Sequence, residues 1–449
     1  MERKVSTQGD YGGIKKSALI ALVVRITAAG LAYILQVFLA QMLGPHEYGL
    51  YAYAWIWLLI GGRSGAIGFR QASIRFIAEY RDTEQYPLAQ GFIWASRTIV
   101  IIGSVLIAAI ALTGLFLFED IVSKPYVMPL YLTIFCVPLF ALQNLLEGQA
   151  LAWSWTGLAL GPSFILRQIL IISFVGAAVL FGLPATAVTA MGAVIIAVLV
   201  STLLQYLILQ RRTRGRLPSG QKQIRLGYWL KTALPLFLMD SFQMALTFID
   251  VLILGLFVSP AMVAIYFAAT RVNTLISLVQ LAVLAAVSQR FAGFAASNRR
   301  HELENLVYRT VQWTFWPSLL VAVGIIACGW ILLRLFGAEF TIAYPLLPIL
   351  ALGMVARASV GPAESLLVML GRERSAFTAQ AISTVCNITL NLALIPSWGI
   401  FGAAIATSTS MIIFSTSLEL FVRRKIGISS WIVTAKPVVA RAENGQQSD

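Results

Sequence analysis

The sequence predicts an all-α, multi-pass membrane protein of about twelve transmembrane helices, and three observations carry that expectation. Of its 449 residues 59% are hydrophobic and only 12% are charged, about half the charge of an ordinary soluble domain. Mean hydropathy is +0.82. The apolar residues lie in continuous runs of about 20 or more, the length that crosses a hydrocarbon core about 30 Å thick. No segment shows the short alternating pattern of a membrane β-barrel. A soluble fold needs a charged exterior, so a soluble enzyme, a nucleic-acid-binding domain and a disordered chain are excluded.

Twelve runs satisfy the length: 17–42, 48–75, 91–117, 127–150, 157–181, 186–210, 229–257, 262–289, 308–336, 343–370, 375–396 and 401–422. The first is too long for a signal-peptide core and continues without an A-x-A cleavage site, so it reads as a retained helix. Several connections are tight turns, such as GPHEYG, FGLP, VSPA and PSWG. The longest, RRTRGRLPSGQKQIRLGY at 211–228, divides the spans six and six and leaves no room for an extramembrane catalytic domain.

The net charge of +14 does not signal nucleic acid, because the basic residues sit in the connections. Most of the 33 Lys and Arg residues fall on one face. That face holds Arg3, Lys4, Lys15 and Lys16, then Arg70, Arg75, Arg81 and Arg97. It also carries the 211–231 cluster, Arg290, Arg299, Arg300, Arg309, Arg372, Arg374 and the basic tail. The opposite face has Lys124 and Arg334. The positive-inside rule makes both termini cytoplasmic. Cys136, Cys328 and Cys386 lie inside apolar runs with no CxxC, and His46 and His301 stand alone. No disulfide framework, metal site or cofactor is expected.

A shift of 215 residues lays Lys16-Ser17-Ala18-Leu19 on Lys231-Thr232-Ala233-Leu234. It also lays the turn GPHEYGLYAYA (44–54) on SPAMVAIYFAA (259–269), with Pro45 on Pro260, Tyr51 on Tyr266 and Ala54 on Ala269. Both repeats start on the same side, so they are parallel. The expected domains are a six-helix lobe over 1–215, a second over 216–425 and a cytoplasmic tail over 426–449. Two such lobes around a central cavity, related by an axis along the membrane normal, form a transporter plan.

An ionisable group at membrane depth costs at least about 2.5 kcal/mol on insertion scales. This chain places Arg25, Arg63, Glu147, Arg167, Asp240, Asp250, Arg271, Arg357 and Glu364 inside apolar runs. Arg25, Arg63 and Arg271 are the candidate substrate contacts, since a guanidinium takes phosphate oxygens in pairs. Arg25 lies roughly 12 Å into the first span, and Arg63 at a similar level in the second. At the 215 offset Arg25 is matched by Asp240. The pair reads as a gate, Asp240 alone as a coupling-ion or proton site, or both as a static ion pair. Glu147 and Glu364 join Asp240 as candidates for gating or ion coupling.

The glycines at 61, 62, 65 and 68 lack a P-loop pattern and read as a flexible or closely packed segment lining the cavity. Tryptophans such as Trp55, Trp57, Trp153, Trp155 and Trp398 read mostly as interfacial anchors. The amphipathic stretch 71–90 extends the second span or lies at the interface, and the tail from about 426 reads as polar and disordered.

The stretches FLAQMLGPHEYGLYAYAW (38–55), IRFIAEYR (74–81) and NLALIPSWGIFGAAIATSTS (391–410) resemble the polysaccharide transporters, or oligosaccharide flippases. These belong to the superfamily that also holds lipid II flippases and multidrug antiporters. The resemblance implies a non-enzymatic flippase with two six-helix lobes and a V-shaped cavity. It implies transfer of an undecaprenyl-diphosphate-linked oligosaccharide between the leaflets of a bacterial inner membrane, for O-antigen, capsule or exopolysaccharide synthesis. Arginines of spans one, two and eight line the cavity in such proteins, which are the spans of Arg25, Arg63 and Arg271. The bilayer and the lipid-linked sugar are the expected partners, together with a polymerase and chain-length proteins, and no nucleic acid. A cation-coupled multidrug antiporter is the alternative.

Overall fold

A computed structural model describes residues 9–120, 123–217, 221–296 and 300–434, with backbone alone for 9–26, 245–246, 284–286, 288–296 and 300. Every regular element among the described residues is helical. Ten helical elements there are long and apolar enough to cross a membrane, counting one bent pair as a single span. Two of the ten are themselves split in the middle, at Gly44 and Gly399, which brings the crossings to the expected twelve.

Glycine makes both splits. Helix α1 (Gly9–Gly65) breaks at Gly44, whose φ of 72° and ψ of 168° no helix contains, and Pro45 opens the second leg, a position that needs no amide hydrogen. The Tyr48 hydroxyl donates to Gln36 Oε1 at 2.8 Å. In a straight helix these residues would be about 18 Å apart, so the chain reverses at Gly44. Helix α2 (Phe69–Asp82) follows a short bend in which Ile67 (φ 47°) and Gly68 (φ 72°) are left-handed. The expected second span, 48–75, therefore stops at Gly65. Residues 69–82 form a separate amphipathic helix that buries Phe69, Ala72, Ser73, Phe76, Ile77 and Tyr80, the 3–4 spacing of one face.

Helices α3 (Tyr86–Leu117) and α4 (Lys124–Ala152) are single crossings. The fifth crossing is composite: α5 (Thr156–Leu160), a π-helical turn Gly161–Leu166, and α6 (Arg167–Leu180). Pro162 has no amide hydrogen to give, and the widened turn absorbs the defect. Helix α7 (Ala187–Arg214) is capped by Thr186 and ends on Arg211, Arg212 and Arg214, cations placed at the negative end of the helix dipole. Helix α8 (Leu226–Phe257) bends by 53° between Met244 and Thr247. Helices α9 (Pro260–Ala296) and α10 (Arg300–Arg334) follow. After a 3-10 turn at Ala338–Ala343, α11 (Leu346–Ala358) and α12 (Ala363–Met369) make one crossing around Gly361. Helix α13 (Glu373–Ile426) is split at Gly399 (φ 52°).

The chain divides into two compact units. One comprises Met1–Ala269 with Ile331–Tyr344, the other Thr270–Trp330 with Pro345–Asp449. The first thus includes α8 and the opening turns of α9. Within it the two turns matched by the repeat are neighbours, because a Cβ on Gly49 would collide with the Pro260 carbonyl oxygen. Its core on the side of the basic connections packs Phe69, Phe76, Phe92, Leu145 and Trp229.

The second unit has its own core of Val307, Val311, Leu366, Leu367, Phe414, Leu418 and Val422. Here the expected disorder from 426 does not begin at once. Gly427 ends α13 in a left-handed conformation, and the chain folds back. The buried Glu419 carboxylate accepts from the Ser430 amide (2.9 Å) and from the hydroxyls of Ser429 and Ser430 (2.7 Å each). The Ile432 amide bonds the Ser359 carbonyl. Residues 435–449 lie outside the described residues.

Candidate functional site

Two glycines assemble the charged site of the first unit. Gly68 occupies the left-handed region, and a Cβ there would collide with the Ala233 carbonyl oxygen. Helix α8 therefore passes directly against the start of α2, and Asp240, two turns beyond Ala233, comes within electrostatic range of Arg63. Gly148 does the same for α4, since its Cβ would meet the Arg70 carbonyl oxygen. The adjacent Glu147 then reaches Arg70, and the pair closes at 2.6 Å with Glu147 almost wholly buried.

Arg63 sits at the centre. It occupies the last turn of α1, about 28 Å along the helix from Gly44, and Arg70, Asp240 and Glu147 all lie within electrostatic range. It is half-buried. Among the described residues its guanidinium makes no ion pair or hydrogen bond, and neither does the Asp240 carboxylate. The glycines on either side of it are closely packed: a Cβ on Gly61 or Gly62 would meet Val137 or Phe140, and one on Gly65 would crowd Ser104 and Ala141. Packing against α3 and α4 fixes the height of Arg63.

Arg167 is buried behind this site. It directly follows the π-helical turn, donates to Gln143 Oε1 at 2.8 Å, and lies 4.8 Å from the Phe140 ring and 5.5 Å from that of Trp55. Trp55 thus serves an internal cation. Trp153 and Trp155 stack on each other at 5.5 Å, under Arg81 and under Arg212 and Arg216 respectively.

In the second unit Glu364 accepts from Arg357 at 2.6 Å, and the Arg357 guanidinium lies 4.3 Å from the Phe414 ring. Both line a cavity of about 310 Å³ with Gln280, Thr310 and Thr314. Arg271 is half-buried in α9 of the same unit. The Arg25 side chain lies outside the described residues, and so does its expected pairing with Asp240. The structure thus brings Arg63, Glu147 and Asp240 together and sets Glu364 with a different arginine.

Sequence reasoning missed Arg70, which it counted among the basic connections, and the partnership of Arg357 with Glu364. A signal for the latter was present. LLEGQALA and PAESLLVM end the fourth crossing of each repeat, and in each the carboxylate holds an arginine of its own unit.

Twelve crossings among the described residues, with buried and half-buried ion pairs between their helices, define a polytopic membrane protein of transporter architecture. The chain belongs to the family described as polysaccharide biosynthesis protein, whose model matches residues 14–288, while the MatE family model matches 235–393. It is 29% identical over 212 residues to the probable low-salt glycan biosynthesis flippase Agl15 of Haloferax volcanii. It is 27% identical over 172 residues to the probable flippase AglR of the same organism. These matches take in 43% and 38% of this chain and cover 43% and 36% of those relatives' length. Among solved structures, a multidrug resistance MATE family transporter of the MOP superfamily superposes with a TM-score of 0.72. Identity is 15%, over 90% of this chain and 98% of that one. The lipid II flippase MurJ superposes at 0.69 with 17% identity, over 90% and 87%. The fold is that of the MOP superfamily.

Proposed function

We propose that this protein is a flippase that moves an undecaprenyl-diphosphate-linked oligosaccharide across the inner membrane for synthesis of a cell-surface polysaccharide. One observation carries the reading: Arg63 presents a half-buried guanidinium in the last turn of the second crossing with no ion pair among the described residues. A charge so placed is costly unless a ligand or water satisfies it, and a diphosphate matches its fork. The family match and the flippase relatives support the same reading. Both termini are cytoplasmic in it, and the two lobes, 1–215 and 216–425, rock around the head group while the prenyl chain stays in the bilayer. Arg25 and Arg271 complete the cationic path. Asp240 carries the coupling ion or proton. Glu147 and Glu364 contribute to gating by holding Arg70 and Arg357.

The test is flipping of a lipid-linked oligosaccharide in proteoliposomes. A charge-assisted hydrogen bond contributes about 1.5–3 kcal/mol, so Arg63→Ala should weaken head-group binding by about ten- to a hundredfold. Arg63→Lys should keep part of it. Normal flipping by Arg63→Ala would overturn the assignment. The match of residues 235–393 to MatE favours a second reading, a cation-coupled multidrug antiporter. Gradient-driven export of a hydrophobic cation, with no flipping of the glycolipid, would select it.

A further inference from the structure

A second basic site lies in the first unit and shares no residue with the Arg63 cluster. A cleft of about 720 Å³ opens between the first half of α3 and the last turns of α7. Its polar wall is formed by Arg97, Arg214, Lys222, Gln210, Trp94 and Tyr206, and none of its lining residues is acidic. Three cations and no carboxylate make a cleft that selects an anion.

The cleft is built. Gln149 Oε1 accepts from Arg97 Nε (3.1 Å) and Nη2 (3.0 Å), and Gln210 Oε1 accepts from Nη1 (2.8 Å). The guanidinium also lies 4.9 Å from the Tyr206 ring. The Arg97 side chain is also hydrogen-bonded to Tyr206, so the guanidinium is held in a fixed orientation at the wall of the cleft. Lys222 is brought to the opposite wall because Gly91 has no side chain: a Cβ there would collide with the Gln223 carbonyl oxygen. The Gln223 amide also bonds the Pro87 carbonyl at 3.1 Å. Lys222 Nζ then stands 5.4 Å from the Trp94 ring.

The surroundings say which anion. Trp94, Ile101, Ile102 and Val105 of α3 and Leu203 and Leu207 of α7 are between 44% and 57% exposed. In a membrane protein such apolar faces meet lipid. A ligand here has its charge among Arg97, Arg214 and Lys222 and its apolar part along those two helices. We propose that this cleft binds the phosphate head group of a membrane lipid. Two lipids have that chemistry, an anionic phospholipid of the surrounding leaflet and a prenyl diphosphate, and basic clefts between transmembrane helices suit such head groups.

The test is native mass spectrometry of the purified protein with phosphatidylglycerol, phosphatidylcholine or a prenyl diphosphate added in separate arms. The variant is Arg214→Gln with Lys222→Gln. Both side chains are exposed, so the fold is retained. The control, Arg75→Gln with Arg211→Gln, removes the same charge from exposed positions outside the cleft. The expected result is retention of phosphatidylglycerol over phosphatidylcholine, weakened about tenfold or more in the cleft variant and unchanged in the control. The same pattern with prenyl diphosphate alone would keep the site and assign it to that lipid. Equal losses in variant and control, or no loss in either arm, would overturn the site.

Discussion

Glu147 is the most tightly held carboxylate of the candidate site. Its side chain is 5% exposed and accepts from Arg70 at 2.6 Å, with Arg167 also in electrostatic range. Removing one member of a buried pair leaves the other uncompensated, at a cost of about 3–5 kcal/mol. Glu147→Ala should therefore lower the thermal unfolding midpoint in detergent sharply. Adding Arg70→Ala should restore part of the loss, the signature of direct coupling. A Glu147→Ala protein as stable as the wild type would remove the pair from the architecture. Single residues also explain the turn motif that carries the family resemblance. In GPHEYGLY, Gly44 reverses the chain, Pro45 opens the new leg, and Glu47 Oε2 accepts the Ala187 amide at 2.7 Å, satisfying the start of α7. Tyr48 is fully buried and bonds Gln36, and Gly49 lets Pro260 close in. These residues shape the scaffold.

Among the elements, α2 is where sequence reading fell short. Its apolar face was legible, because Ile77 and Tyr80 recur at helical spacing and are buried. The bend before it was not. Ala66, Ile67 and Gly68 continue an apolar run, and no pattern of residue types announces a β-branched residue at positive φ, which tertiary packing has to impose. With the bend unseen, Arg70 fell among loop cations, and its place beside Glu147 stayed hidden. Charge inside apolar runs was legible by contrast, since each such residue interrupts a run, and Arg63, Glu147 and Asp240 were singled out that way. What holds α2 is equally specific. The buried Trp229 Nε1 donates to the Tyr80 hydroxyl at 2.9 Å, beneath an edge-to-face contact with Phe92 at 5.2 Å. Trp229→Phe keeps most of the packing and removes the hydrogen bond, for an expected loss of about 1 kcal/mol. Burial raises the Tyr80 phenol above its ordinary value, and the Trp229 bond opposes this only in part. The neutral phenol is thus the folded form. The stability it contributes is complete below about pH 10, the unfolded value, and is lost as pH rises beyond it. An alkaline shift in tryptophan fluorescence, absent in Tyr80→Phe, is the measurement. A shift that persists in Tyr80→Phe would place the titration elsewhere.

At the scale of the whole molecule, Asp240 belongs to the second repeat and Arg63 to the first, and α8 brings them into one electrostatic neighbourhood. The 215 offset had matched Asp240 with Arg25 as equivalent positions. Equivalence in a repeat gives corresponding places, and contact is decided by where helices cross. Here the crossing is fixed by Gly68 against Ala233 and Phe237. Asp240 is half-exposed and makes no ion pair among the described residues. A carboxylate at that depth is stable when protonated, ion-bound or facing water. The first two states respond to a transmembrane gradient. In proteoliposomes Asp240→Asn should therefore flip the lipid-linked oligosaccharide at a rate that no longer depends on a proton or sodium gradient, while binding of the glycolipid is unchanged. The gate reading makes a different prediction. If Asp240 served only as counter-charge to an arginine, Asp240→Asn would slow flipping and keep its gradient dependence. Introducing the opposite pair, Arg63→Asp with Asp240→Arg, would then recover closure without head-group binding. A variant that flips at the normal rate with its gradient dependence intact would remove Asp240 from both roles. The carboxylate would then be a solvated part of the site, whose field tempers the charge of Arg63.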